Sequence, residues 1–273
     1  MRVQILLVAV LFVACAPDAF PPGDELRVIS LSPALTRTLL ALEAGDRVVG
    51  VDRYSRRIPE MQQTPSLGGL FAPDLERAVE LRPTLVLAVT TAQQQSFLDQ
   101  LRARGVRVET FDGNGLDDVL ASYRRVGALV GKAERGDALA QNVERELATL
   151  AQHQPAARPS VAVVIEIDPL YVVGAGSFVN DLIRAAGGEN AFGDLAQPYP
   201  RVSLEVLAER APDVLLDTTF DPADMAGAQE RAHAHWSRFA WVRRVEVLPQ
   251  GILTLPGPDL AEAALLLRAR IRP

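Results

Sequence analysis

The chain is poor in residues that build covalent or metal frameworks. A single cysteine, Cys15, stands among 273 residues, so no intrachain disulfide can form. Three histidines, His153, His233 and His235, are too few and too scattered for a dedicated zinc or manganese site, which needs convergent imidazole and carboxylate ligands. There is no block of basic residues and the net charge is −6, which argues against nucleic acid as a partner. No G-x-S-x-G occurs, and Gly174-Ala175-Gly176 carries Val179 where a dinucleotide fingerprint needs its third glycine, so it reads as a turn opening a helix. None of these motifs supports an enzyme, and no intrinsic cofactor is expected.

What is present begins with an internal echo. Leu75-Glu76, Glu80, Pro83 and Leu87 in DLERAVELRPTLVL recur at identical spacing as Leu204-Glu205, Glu209, Pro212 and Leu216 in SLEVLAERAPDVLL. Each copy starts on a good N-cap (Asp74, Ser203), runs about two turns of helix, stops at its proline and enters an apolar run of strand length. Two copies of half a βαβ unit predict a pair of related α/β lobes, and a cleft between lobes is a usual home for a ligand.

The rest of the chain fits that division. LRVISLS, RVVGVD, TLVLAV and VRVETF read as strands, separated by helices at PALTRTLLALEAG, from Gln93 to Arg104 and from Leu116 to Val130. Such alternation argues for a parallel sheet covered by helices. Between Gly131 and Pro155 no strand pattern survives, and Leu139, Val143, Leu147 and Leu150 fall on one helical stripe. That segment is either a long helix linking the lobes or a peripheral helix of the first one. SVAVVIEI opens a second lobe, which continues through YVVG, a helix from Ser177 to Ala186 ended by Gly187-Gly188, the second echo, and a final helix from Asp259 to Arg270. The fold class is α/β: two Rossmann-like lobes, each a parallel sheet with flanking helices, joined by one long backbone helix. The expected layout is a signal peptide over 1–14, a tether over 15–25, an N-terminal lobe over 26–130, the linking helix over 131–154 and a C-terminal lobe over 155–273.

The leader MRVQILLVAVLFVA holds one charge and an apolar run of export-signal length, too short to span a bilayer, which needs about 20 residues. Ile5 to Cys15 resembles a bacterial lipoprotein signal, with Phe12 departing from the leucine usual in that box. The resemblance implies an exported protein lipid-anchored at Cys15 on the periplasmic or outer face of the cytoplasmic membrane. The alternative is ordinary cleavage using Ala14 and Ala16 as the small pair, although Pro17 then follows the cut.

From Leu26 onward the segments RVISLSPALTRTLLALEAGDRVVGVDRYS, PSLGGLFAPDLERAVELRPTLVLA and PLYVVGAGSFVNDLIRAAGGENAF, with PYPRVSLEVLAERAPDVLL, resemble the helical-backbone substrate-binding proteins of ABC importers for cobalamin, heme and ferric siderophores. The similarity is weakest from Phe220 to Val247. It implies a metal chelate, corrinoid or ferric, as ligand; a transmembrane permease dimer as partner; and a monomeric receptor. It also implies that Glu76 and Glu205 dock into arginine-lined permease pockets, while Glu80 and Glu209 are surface charges. Its ligand loops correspond to Arg53, Tyr54, Phe71, Tyr171, Tyr199 and Arg201. The tyrosines and phenylalanine offer flat apolar faces suited to a large chelate, and the arginines suit carboxylates, catecholates or a phosphate. Arg56 and Arg57 either add to that charge or face water. Cobalamin binders usually carry tryptophan at the position of Tyr199, whereas the two tryptophans here, Trp236 and Trp241, lie outside the matched loops. Cobalamin stays slightly favoured on overall wording, with ferric siderophore or heme next, and an enzyme or scaffold on the same fold as the remote alternative.

Overall fold

The computed structural model describes residues 25–69, 72–89, 92–152, 158–221, 224–253 and 256–272. The leader, the tether up to residue 24, Cys15, Phe71 and His153 lie outside the described residues.

Two sheets carry the chain. The first is fully parallel, in the order β2 (Val48–Val51), β1 (Val28–Ser30), β3 (Leu85–Val89), β4 (Arg107–Phe111). The second is built around β5 (Ser160–Ile167), which pairs in parallel with β7 (Glu189–Asn190) and β8 (Val214–Asp217); β8 in turn pairs in parallel with β9 (Val245–Val247). The order β7-β5-β8-β9 thus repeats β2-β1-β3-β4. One element breaks the correspondence: β6 (Leu170–Val172) folds back antiparallel on the second half of β5, a hairpin with no partner in the first sheet.

The echoed motif is an echo of structure. Helix α2 (Leu75–Glu80) is capped by the Asp74 side chain, which accepts from Arg77 N at 3.0 Å, and helix α7 (Leu204–Arg210) by Ser203, which accepts from Val206 N at 3.3 Å. Both helices end on a left-handed residue directly before the proline, Arg82 at φ 46° and Ala211 at φ 40°. Each then feeds a buried strand, β3 or β8. Helix α1 (Pro33–Ala41) stops a turn before Gly45, the residue expected to end it; Glu43, at φ 53°, makes the left-handed exit instead and is held by an ion pair to Arg135. The remaining helices of the first half are α3 (Gln95–Arg102) and α4 (Leu116–Leu129).

The linking segment forms one helix, α5 (Ala133–Gln152), 20 residues and about 30 Å long. Its stripe is buried as expected: Val143, Leu147 and Leu150 pack with Val161, Val163 and Phe178 of the second half, while the partly buried Leu139 touches the cores of both halves. Helix α4 divides itself in the same way. Val119, Leu120 and Tyr123 belong to the core around the second sheet, and Val126, Leu129 and Val130 to the core around the first. The two halves are therefore joined through two helices packed on each other. The second half is completed by α6 (Phe178–Ala186), α8 (Ala228–Trp236) and α9 (Leu260–Ile271). Among the described residues no helix is long and apolar enough to cross a membrane.

Candidate functional site

Open parallel sheets bind ligands outside the carboxyl ends of their strands, where the loops leave unpaired backbone groups and several elements converge. Strand β2 ends on Asp52, which is buried. Its carboxylate accepts from Tyr54 N at 2.8 Å and Ser55 N at 3.0 Å, and also from the Ser55 hydroxyl. This turn, in which an aspartate imitates the backbone, fixes the loop that follows. A buried hydroxyl cluster backs it, with Thr36 Oγ1 at hydrogen-bonding distance from Ser30 Oγ (2.8 Å) and Ser55 Oγ (3.0 Å). The anchored loop presents Arg53 and Tyr54 to solvent, and Tyr54 is 47% exposed. Arg53 and Arg57 place their guanidinium carbons 5.6 and 5.8 Å from the Tyr54 ring centre, within cation–π range. Arg53 lies so close over Gly69 that a Cβ there would come within 2.4 Å of its guanidinium. No ion pair is formed by Arg53, Arg56 or Arg201 with any carboxylate among the described residues.

The second cluster is assembled by the extra hairpin. Residues 198–202 run antiparallel along β6: Tyr171 bridges Arg201, Val172 N donates to Pro200 O at 3.1 Å and Val202 N to Leu170 O at 3.0 Å. Directly opposed residues in such a pair share a face, so Tyr171 and Arg201 stand together. Tyr199 differs. Its ring is partly buried against the core of the second half, and burial pushes its phenol up despite a hydrogen bond with Ser177. The Gly174 and Gly176 pair admits the 195–198 segment; a Cβ on Gly174 would lie 2.1 Å from Gln197 O, and one on Gly176 2.5 Å from Ala196 O.

The two clusters lie in different halves. Among the described residues an ion pair spans the halves at this end, Arg57 Nη1 to Asp221 Oδ2 at 3.7 Å, joining the loop after β2 to the loop after β8. On another side the halves are stitched by Tyr123 Oη donating to Gly257 O at 2.5 Å, by Phe178 N donating to Asn114 O at 2.5 Å, and by the Arg37–Asp259 pair.

Hollows formed elsewhere among the described residues include two away from these loops. One of about 610 Å³ lies between α5 and α9, from Asn142 and Arg145 to Leu265 and Arg268, and one of about 280 Å³ lies between Leu204, Trp236 and Phe239. Neither touches Arg53, Tyr54, Tyr171, Tyr199 or Arg201. The strand-end loops remain the better candidate, because they combine exposed aromatic faces with uncompensated positive charge at the sheet ends.

Glu76 and Glu205 occupy the same second position of α2 and α7, and both are exposed. The Ser203 hydroxyl, then the backbone, holds the Glu205 carboxyl below its ordinary range. Trp236 is buried, its indole donating to Asp217 Oδ2 at 2.8 Å, while Trp241 stacks on Phe239. His233 is exposed and His235 lies edge-on to Trp236, its imidazole held below the usual range by burial and then by Arg238. Among the described residues no group of three His, Cys, Asp or Glu side chains is placed to hold a metal. The functional candidates missed by reading residues alone are Asp52 and Asp221. The signal for the first was available, since an aspartate ending an apolar run before a turn favours this cap; the cross-half partner of Arg57 had none.

Repeated α/β halves, a long helix packed between them, and aromatic and arginine residues at the strand ends define the class as a two-lobed substrate-binding protein. Residues 28–233 match the family described as periplasmic binding protein, and the chain belongs to that family. It is 31% identical over 224 residues to a vitamin B12-binding protein of Salmonella typhimurium, an alignment covering 82% of this chain and 80% of that one. Among solved structures it resembles a periplasmic heme-binding protein from Roseiflexus sp. RS-1, with 28% identity and a TM-score of 0.72, over 90% of this chain and 97% of that one. The periplasmic heme-binding protein HutB of Vibrio cholerae shares its fold with a TM-score of 0.79 at 20% identity, over 90% of this chain and 98% of that one.

Proposed function

We propose that the protein is the extracytoplasmic receptor of an ABC importer, a monomer that takes a metal chelate between its lobes and hands it to a transmembrane permease dimer. The observation that carries this reading is the pairing of exposed Tyr54 and partly exposed Tyr171 with Arg53, Arg57 and Arg201 at the strand ends. Flat rings suit the face of a macrocycle or siderophore complex, and guanidinium forks suit its anionic edge. A corrinoid is slightly favoured by the likeness to the vitamin B12-binding relative; heme or a ferric siderophore is the second reading, favoured by the arginines. The metal arrives inside its chelator, so the receptor itself contributes no catalytic group. Glu76 and Glu205, one per lobe at equivalent helix positions, provide a two-point charged grip on a pseudo-symmetric permease. Export through the 1–14 leader and lipid attachment at Cys15 complete the proposal.

The test is a fluorescence titration of the chain lacking residues 1–15 with cyanocobalamin, heme and a panel of ferric siderophores. Submicromolar one-to-one binding of cyanocobalamin selects the corrinoid. Saturable binding of heme or a ferric chelate without cyanocobalamin binding selects iron uptake, and silence across the panel sinks the receptor reading. For docking, permease-coupled uptake should fall at least about tenfold in Glu76→Ala with Glu205→Ala combined, while ligand affinity stays unchanged.

A further inference from the structure

The Arg57–Asp221 contact joins two facing loops with side chains 69% and 49% exposed, at a separation of 3.7 Å. Arg57 is also one of the cations set against Tyr54, the most exposed aromatic of the candidate site among the described residues. One guanidinium therefore belongs both to the ligand-facing ring of one lobe and to a carboxylate of the other. An anionic group entering beside Tyr54 meets Arg57 already engaged, whereas Arg53 is paired with no carboxylate among the described residues.

We infer that Asp221 is a specificity-determining positioning residue that acts through Arg57. In the empty receptor it holds Arg57 across the gap; a ligand with a carboxylate or catecholate edge takes its place, exchanging one charge-assisted pair for another. An uncharged ligand offers no such exchange, and the lobe-to-lobe pair persists beside it. Asp221 thus competes with anionic ligands and is indifferent to neutral ones. This rests on the chelate-binding reading above.

The experiment is a double-substitution cycle in Arg57→Gln and Asp221→Asn, read with heme, which carries two propionates, and with an uncharged ferric trihydroxamate siderophore. An exposed pair of this kind is worth a two- to five-fold change in affinity, on the order of measured surface ion pairs. The expected result is that Asp221→Asn tightens heme binding about two- to five-fold, that Arg57→Gln weakens it by a similar factor, and that Asp221→Asn has no effect once Arg57 is Gln. On Asp221→Asn alone, affinity for the uncharged trihydroxamate should change by less than about 1.5-fold. Equal effects on both ligands, or an Asp221→Asn effect that survives in the Arg57→Gln background, overturn the inference while leaving the receptor reading intact. A cycle on the ligand-free protein separates the two further: the melting temperatures should be non-additive by about 1–2 °C, and strict additivity overturns the pair itself. Failure of heme to bind at all removes the exchange together with the anionic-chelate reading.

Discussion

At the scale of single residues, buried polar groups decide how firmly the loops are held. Tyr123 is the clearest case. It is fully buried on α4, yet its hydroxyl reaches Gly257 O at 2.5 Å, in the segment leading to α9. Tyr123→Phe leaves that carbonyl unpaired and should cost about 1–2 kcal/mol in denaturant unfolding. Burial, then the negative charge of Asp259, pushes the Tyr123 phenol well above its ordinary value of 10.0, with Arg37 opposing. The sign follows: below about pH 10 both folded and unfolded chains hold the proton, and above it the unfolded chain releases its proton first. Wild-type stability should therefore decline above about pH 10, and the gap to Tyr123→Phe should narrow there. A gap that widens in that range contradicts the assignment.

At the scale of elements, glycines set how closely backbones approach. Helices α4 and α5 cross at Gly127 and Gly136; a Cβ on Gly136 would lie 2.7 Å from Tyr123 O and 3.1 Å from Gly127 Cα. Alanine is the better helix former by about 1 kcal/mol, but backbone atoms cannot yield as a flexible side chain can. Gly136→Ala should therefore lower stability by about 1–2 kcal/mol net, read by thermal unfolding. Gly174→Ala tests the other junction. Its Cβ would collide with Gln197 O and Leu195 O, displacing the strand-like segment that carries Tyr199 and Arg201. A loss of ligand affinity of about tenfold with most of the stability retained is expected; unchanged affinity would remove that segment from the site. The echo at α2 and α7 was legible in the sequence because a capping side chain, two helical turns and a proline are local chemistry. The stripe of α5 was legible for the same reason. Two things were not. YVVG reads as a strand, but nothing local reveals that β6 turns back antiparallel, and the stripe of α4 does not state that its two ends serve different sheets. Likewise the candidate loops could be proposed from the sequence because they resemble the family's and follow strand ends, whereas the partial burial of Tyr199 and the pairing of Arg57 with Asp221 depend on segments distant in the chain.

At the scale of the whole molecule, the question is how far the lobes can move when a ligand enters. A hinge made of flexible strands permits wide closure, but here the halves share buried side chains. Helix α4 contributes Val119, Leu120 and Tyr123 to one core and Val126, Leu129 and Val130 to the other, and Leu139 of α5 touches both. Rotating one lobe through a large angle would shear these contacts, and a buried aliphatic side chain carries about 1.5–3 kcal/mol of burial. The Phe178–Asn114 and Tyr123–Gly257 hydrogen bonds and the Arg37–Asp259 pair would be strained as well. Across the gap the exposed Arg57–Asp221 pair is, among the described residues, the ion pair that opposes movement, and such pairs contribute about 0–1 kcal/mol. Motion should accordingly be confined to the strand-end loops, with the helical side of the molecule fixed. A compact chain of about 250 residues has a radius of gyration near 18 Å, and saturating ligand should change it by less than a few per cent in small-angle scattering. Compaction by about 2 Å would mean that α4 does not bind the halves together in solution as it does here. Raising the salt concentration weakens an exposed ion pair but not a shared apolar core. Scattering from the ligand-free protein should therefore be the same at low and high ionic strength, because it is α4 and α5, and not the Arg57–Asp221 contact, that set the distance between the lobes.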